Sequence, residues 1–187
     1  MFVRTFMEFS VPADLAAAAE ALREQAWPGL GGSPHDPALR PVAMLLVSPE
    51  GEVVAALDIL SKELAHGGRT YRASGLSSVV TDAAHRGAGH GRRLVAAARA
   101  EMIARGADLG LFTCDRELRG FYESAGFEVL EGSVLVGGTP EAPFPSDRPG
   151  FDKVTLGAFF TERAQRDADA FRGVRIALHP GEIDRLW

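Results

Sequence analysis

Several features that define whole classes of protein are scarce or missing in this sequence. It contains one cysteine, Cys114, which excludes an internal disulfide bond and cannot hold a zinc ion by itself. No apolar run approaches the ~20 residues of a membrane-spanning helix, and the first residues lack the basic-then-apolar order of a signal peptide. We therefore expect a cytoplasmic protein that does not enter a membrane.

The sequence also has no excess of basic residues, and its formal net charge is -5. Nucleic-acid binding needs a basic surface, so no nucleic-acid partner is expected. The acidic balance is compatible with a cationic substrate and, more simply, with solubility. At 187 residues the chain is long enough for one well-buried domain, and we predict a single domain over residues 1–187.

The order of the apolar patterns predicts an α/β fold of the α+β kind, in which a strand meander precedes a long helix. The predicted strands are 2–10, 42–47, 52–64, 71–81, 109–113, 127–136 and 153–160, and the predicted helices are 12–27, 89–105 and 116–125. The strand at 109–113 follows a helix, so it should run parallel to the strand before that helix. The stretches 28–41 and 137–150 are rich in proline and are predicted to be loops. The first is either a lid or substrate wall or a passive connector.

A glycine-rich turn, Arg86-Gly-Ala-Gly-His-Gly91, lies between a predicted strand and the long helix. Backbone N–H groups can converge there, the helix N-terminus adds partial positive charge, and Arg86 and Arg92 supply forked donors for phosphate oxygens. The turn is followed by no Gly-Lys-Ser/Thr and does not open a βαβ unit, so it fits neither the nucleotide-triphosphate loop nor the dinucleotide fingerprint. It is a candidate anion site.

Together with Phe121-Tyr-Glu-Ser-Ala-Gly-Phe127, this turn resembles the two signatures of the GCN5-related N-acetyltransferases, or GNAT family. The resemblance implies a mixed, mostly antiparallel, V-splayed sheet flanked by helices, with acetyl-CoA as cosubstrate and no metal. It further implies that the last part of the preceding strand binds the pantetheine arm and that the turn binds the pyrophosphate. The positions implied for the cosubstrate are Val79, Val80, Thr81, Arg86, Gly87, Ala88, Gly89, His90, Gly91 and Arg92.

The second half also resembles the aminoglycoside 2'-N-acetyltransferases, through Arg105-Gly-Ala-Asp-Leu-Gly110, the proline-rich loop, and an acidic residue shortly before Trp187. This resemblance implies a cationic amine acceptor that is bound partly by residues 182–187, which we call the tail. The candidate substrate-binding residues are Asp36, Ser77, Glu182, Asp184 and Trp187. The tail tryptophan could equally anchor the tail to the core or to a second subunit.

The implied chemistry is attack of a neutral amine on the acetyl thioester. We predict that the backbone N–H of Val80 stabilises the oxyanion and that Tyr122 protonates the leaving thiolate. The alternative for Tyr122 is packing beside Phe121 alone. Ser77 stands where the second subfamily has a glutamate that orders waters for deprotonation. The base is therefore elsewhere, with Glu123, Asp36, His35 and the tail carboxylates as candidates, or water alone suffices.

The sequence thus predicts an N-acetyltransferase that acts on a small, cationic, aminoglycoside-like amine. Two alternatives stay open: acetylation of a protein N-terminus or lysine, and a non-catalytic acyl-CoA-binding module on the same fold. Because dimers are common in the family, the resemblance also admits a homodimer.

Overall fold

Two sheets organise the computed structural model, which describes residues 1–29 and 34–187. The strands in this part of the chain are β1 (Phe2–Met7), β2 (Val42–Val47), β3 (Val53–His66), β4 (Arg69–Thr81), β5 (Leu109–Asp115), β6 (Glu128–Val129), β7 (Val134–Gly138), β8 (Pro143–Pro145), β9 (Lys153–Phe159) and β10 (Arg175–Ala177). The α-helices are α1 (Ala13–Ala26), α2 (His90–Ala104), α3 (Arg119–Glu123) and α4 (Glu162–Arg166). None of the helices in these residues is long and apolar enough to cross a membrane.

The large sheet has the strand order β1-β2-β3-β4-β5-β9-β6, and the small sheet has the order β10-β7-β8. Every neighbouring pair in the large sheet is antiparallel except β4 and β5, which are parallel. The prediction of a mixed, mostly antiparallel sheet flanked by helices is therefore confirmed. The parallel direction of β5 follows from the helix that connects it to β4.

The parallel strands β4 and β5 pair over a short distance and then separate. Their only registered pairs are Ala73 with Leu109 and Ser74 with Gly110, yet β4 continues to Thr81 and β5 to Asp115. The strands therefore leave a V-shaped gap between them, which we call the splay. It lies in the middle of the large sheet.

Helices cover the two faces of the large sheet. On one face α2 buries Leu94, Val95, Ala98 and Met102, which are the positions that its apolar spacing predicts. The other face carries α1 and, beside it, the small sheet with the tail. Side chains alternate along β3 after its first residues, so Ala56 and Asp58 point to the α1 face. Cys114 is buried on β5, and burial raises the pKa of its thiol to about 11.

The predictions differ from the structure mainly after residue 115. The predicted strand 127–136 is divided between the two sheets, because the chain turns at Leu130–Ser133 with Gly132 at a positive φ of 70°. The predicted loop 137–150 contains β8, an edge strand of the kind that accepts proline. The predicted helix 116–125 is a 3-10 turn followed by α3. Residues 30–33 of the predicted loop 28–41 lie outside the described residues.

Candidate active site

A β-bulge in β4 shapes the wall of the splay. Ala56 of β3 pairs with Val80 and Asp58 pairs with Ser77, so β4 has one more residue than β3 between these pairs. Within the bulge Ser78 adopts a left-handed conformation with φ 51°. Because of the bulge, two neighbouring residues line different pockets. Ser78 lines one pocket and Val79 lines another.

The strand register determines which backbone groups of β4 face the splay. The N–H of Asp82 donates to Val54 O at 2.9 Å, and hydrogen-bonded pairs alternate along an antiparallel ladder. The main-chain groups of Val80 are therefore directed to Ala56 of β3. Those of Val79 and Thr81 are directed into the splay.

The pocket on the Val79 side has a volume of about 580 Å³. Its walls combine the end of α1, the end of β4, the glycine-rich turn and α3, through residues that include Trp27, Thr81, Arg86, His90 and Tyr122. We call it the donor pocket. Of the predicted cosubstrate positions, the donor pocket is therefore lined by Val79, Val80, Thr81, Arg86, Gly87 and His90, whereas Ala88, Gly89, Gly91 and Arg92 are not part of its lining.

Two glycines, Gly87 and Gly89, leave the surface of the turn open to a ligand. Gly87 and Gly89 have φ values of 81° and 78°, and a Cβ on either would meet no atom within 4 Å. Gly91 is different, since a Cβ there would lie 2.7 Å from Thr81 Oγ1. Gly89 is the N-cap of α2, so the free N–H groups of a 15-residue helix begin here. Arg86 Nε donates to Thr81 O at 3.2 Å, which fixes the turn against β4.

Tyr122 reaches the donor pocket from the α2 face. Its ring is 7% exposed and lies edge-on to Phe112 and Phe121, with centroid distances of 5.1 and 4.9 Å. Burial, and then the neighbouring Cys114 and Asp115, raise the pKa of its phenol well above the ordinary value. No group in the described parts of the chain makes a hydrogen bond to its hydroxyl. The side chain is therefore a protonated donor at neutral pH whose hydrogen bond is available to a ligand.

A second pocket, of about 530 Å³, lies on the α1 face beside Ser78. The residues around it belong to the end of β1, to α1, to β3 and to residues 34–41, so the predicted substrate-wall loop does contribute to a cavity. Charged groups of both signs line it, namely Glu8, Glu20, Arg23, His35, Arg40 and Asp58. We call it the acceptor pocket.

A chain of alternating charges runs along this pocket. Arg23 Nη2 donates to Asp58 Oδ2 at 2.7 Å, and His35 Nε2 lies 3.4 Å from the same oxygen. His35 Nδ1 in turn lies 2.6 Å from Asp184 Oδ1. Both aspartates are buried, with 2% and 8% exposure. This charge network ties α1, β3, the segment before β2 and the tail to one another.

The two aspartates decide the protonation state of His35. Burial by itself opposes charge on the imidazole, but the hydrogen bonds and charges of Asp184 and Asp58 outweigh it and raise the pKa of His35 to about 10. His35 is therefore an imidazolium at neutral pH. In that state it cannot accept a further proton.

This shifted pKa predicts a pH-dependent contribution to stability. Because the folded-state pKa lies above the unfolded value near ~6.5, the contribution is complete below about pH 6.5 and is lost as the pH rises toward 10. We expect the free energy of unfolding, measured in urea at pH 6, 8 and 10, to fall more steeply with pH in wild type than in His35→Gln. The two slopes should differ by at most about 1.4 kcal/mol per pH unit. Equal pH slopes in the two proteins would contradict the assignment.

The predicted acceptor residues occupy different surroundings. Ser77 is buried opposite Asp58, and Asp184 is part of the charge network with its Oδ2 buried and unpartnered in residues 1–29 and 34–187. Trp187 packs between the two cores. Asp36 uses its carboxylate to cap a short 3-10 turn through Ala38 N at 2.9 Å, and Glu182 is exposed. The first three therefore lie near the splay and the acceptor pocket.

Asp58 and Arg23 were missed by sequence reasoning, although one signal was available. Residues 53–60 read Val-Val-Ala-Ala-Leu-Asp-Ile-Leu, so Asp58 is the single charge in the otherwise apolar first part of β3. A lone carboxylate in a buried strand requires a partner.

In the described part of the chain, no group of three or more histidine, cysteine, aspartate or glutamate side chains could hold a metal ion.

Comparison with known proteins gives one family and one fold. A family model described as an acetyltransferase (GNAT) domain matches residues 19–130. A solved aminoglycoside 6'-N-acetyltransferase in complex with coenzyme A is 16% identical, with a TM-score of 0.59, over 87% of this chain and 99% of that one. The YhbS GNAT family N-acetyltransferase from Escherichia coli, also with CoA, is 16% identical with a TM-score of 0.59, over 94% and 89% of the two chains.

Escherichia coli ElaA is a third similar structure, with 16% identity and a TM-score of 0.58 over 83% of this chain and 97% of that one. No curated protein sequence matches the chain at a significant level. Identities this low carry the fold alone.

Proposed function

Since the chain belongs to the GNAT family and is an acyl-CoA-dependent N-acetyltransferase, we propose that it transfers the acetyl group of acetyl-CoA to a primary amine of a small, cationic, aminoglycoside-like molecule. The observation that carries this proposal is the β4 bulge. Ser78 faces the acceptor pocket and the next residue, Val79, faces the donor pocket, so the two cavities meet across a single peptide. A thioester in the splay would be within reach of an amine from the opposite side.

On the donor side, the pyrophosphate would bind the turn 86–91 and the start of α2, and the pantetheine arm would follow Val79 and Thr81. We place the oxyanion donor at the N–H of Val79 and not at Val80, because the ladder directs Val80 to β3. Tyr122 would then give its proton to the thiolate as the C–S bond breaks.

On the acceptor side, the carboxylates of Glu8 and Asp58, which line the pocket, would bind the cation. Asp58 lines this pocket directly, whereas Asp184 acts on it through His35, whose Nδ1 lies 2.6 Å from Asp184 Oδ1. His35 is already protonated, so the ammonium would lose its proton to water, which the Ser77 and Ser78 hydroxyls can position.

The proposal is tested by amine-dependent release of CoA thiol from acetyl-CoA, with aminoglycosides, polyamines, amino acids and peptides as acceptors. Aminoglycosides come first, because one similar structure is an aminoglycoside 6'-N-acetyltransferase. We expect turnover with polycationic small amines. Turnover confined to peptides would replace the proposal with a protein N-acetyltransferase, and acetyl-CoA binding with no turnover would indicate a binding module.

Asp58→Asn should raise KM for a polycationic acceptor by about ten-fold, the value of one charge-assisted hydrogen bond. KM for acetyl-CoA should stay near wild type, since Asp58 does not line the donor pocket. Steady-state kinetics with both substrates measure the two effects. Glu63→Gln is the matched control, because Glu63 is an exposed carboxylate of the same strand outside both pockets. An unchanged acceptor KM in Asp58→Asn, or an equal rise in the control, would contradict the assignment.

A further inference from the structure

The indole of Trp187 occupies the splay close to the point where β4 and β5 separate. A Cβ on Gly75 would lie 2.6 Å from Cδ1 and Nε1 of this ring and 2.8 Å from the carbonyl oxygen of Leu111. Ser74 and Gly110 are the last registered pair of the two strands. The ring therefore lies just beyond the last pairing, and only glycine at position 75 leaves room for it.

Hydrogen bonds of the residues that precede Trp187 hold this ring in place. Gly138 N–H donates to Arg185 O at 2.8 Å, and Asp184 is bound by His35. Further back, Lys62 Nζ donates to the carbonyl oxygens of Leu178 and His179 at 2.7 and 2.6 Å. The indole itself packs against both large clusters of buried residues. These contacts make Trp187 a fixed wall of the splay.

This wall limits the space for the acyl group of the donor, an inference that rests on the proposed function. With the thioester carbonyl at the N–H of Val79, the acyl chain can extend along β4 toward Gly75. Val79 and Gly75 are four residues apart, which corresponds to about 13 Å of extended strand. A large indole at Gly75 takes up part of that distance, so a short acyl group has space and a long one does not.

We propose that Trp187 is the floor of the acyl chamber and restricts the donor to short-chain acyl-CoA thioesters. Size would be the deciding property of the ring, because the only polar group of the side chain is the indole N–H. That N–H is buried and has no hydrogen-bond partner in the described residues. Phenylalanine removes the N–H and keeps most of the volume, whereas alanine removes the wall.

The test compares kcat/KM for acetyl-, butyryl-, hexanoyl- and octanoyl-CoA with one accepted amine. Wild type should decline steeply with chain length. Trp187→Ala should raise the hexanoyl-to-acetyl ratio by about ten-fold or more, because two or more additional methylene groups become buried. Trp187→Phe should keep the wild-type profile. Trp187→Leu, which retains an apolar side chain in the core, should give an intermediate profile and serves if the alanine variant does not fold.

Two outcomes separate this inference from the proposed function. If wild type releases no CoA thiol with any amine and acetyl-CoA does not raise its melting temperature, the proposed function fails. If wild type is active and the alanine and leucine variants keep its chain-length profile, only the role of Trp187 fails. A change confined to KM for the amine would make Trp187 a wall of the acceptor pocket and would also overturn the inference.

Discussion

Tyr122→Phe should lower kcat by about 100-fold or more, the usual contribution of a general acid, and leave KM for acetyl-CoA near wild type. The expected loss follows from the position of Tyr122, which lines the donor pocket and whose hydroxyl makes no hydrogen bond among the described residues. Its raised pKa keeps the proton on the phenol at neutral pH. Initial rates of thiol release at saturating acetyl-CoA measure the effect.

Tyr71→Phe is the matched control for this variant. Tyr71 is the only other tyrosine of the sequence and is also buried, but its hydroxyl donates to Asp167 Oδ2 at 2.8 Å, far from the donor pocket. The control should lower the melting temperature and keep kcat, whereas Tyr122→Phe should keep the melting temperature and lose kcat. A wild-type kcat in Tyr122→Phe would reduce Tyr122 to a packing residue beside Phe121.

The donor side of the site was predictable because its parts are local in sequence. The turn 86–91 directly precedes α2, and Tyr122 lies in a short motif after the next strand, so spacing alone places them on one side of the sheet. The buried face of α2 followed from helical periodicity in the same way. The V-shaped splay was implied only by the resemblance, because it depends on where two strands stop pairing.

The acceptor side depends on contacts that no local pattern contains. Asp58 meets Arg23, 35 residues earlier, and His35 meets Asp184, 149 residues later. The sequence makes His35 a candidate base, but two flanking carboxylates make it a cation, and that effect arises only from the fold. The division of residues 127–136 between two sheets is also absent from the local pattern. Both halves are apolar enough for a strand, so the sequence predicts one continuous strand.

The charge network and the proposed acyl chamber are parts of one arrangement. Asp184 is bound by His35, and its carbonyl oxygen accepts from the N–H of Trp187 at 3.1 Å. The residue that binds His35 of the acceptor pocket therefore also positions the residue proposed to limit the acyl group. Loss of the proton of His35 at high pH would loosen both walls together, so acceptor KM and chain-length profile should change over the same pH range.

Gly89→Trp should abolish the increase in melting temperature that acetyl-CoA gives to wild type and raise KM for acetyl-CoA by about 100-fold or more. Gly89 is the N-cap of α2, with a φ of 78°, and a side chain there would project into open space where we place the pyrophosphate. An indole in that position would exclude the phosphates from the free N–H groups of the helix, whose charge-assisted hydrogen bonds are each worth roughly 1.5–3 kcal/mol. Thermal unfolding with and without acetyl-CoA measures the loss.

The backbone strain of a side chain at positive φ must be separated from the loss of binding. Gly68→Trp provides the comparison, because Gly68 has a φ of 74°, also faces open space, and lies in the β3–β4 turn away from the donor pocket. Both variants should melt below wild type by similar amounts, since both force an L-residue into the left-handed region. Only Gly89→Trp should lose its response to acetyl-CoA. An equal response in the two variants would mean that the cosubstrate does not bind at the turn, and the donor pocket would have to be assigned elsewhere.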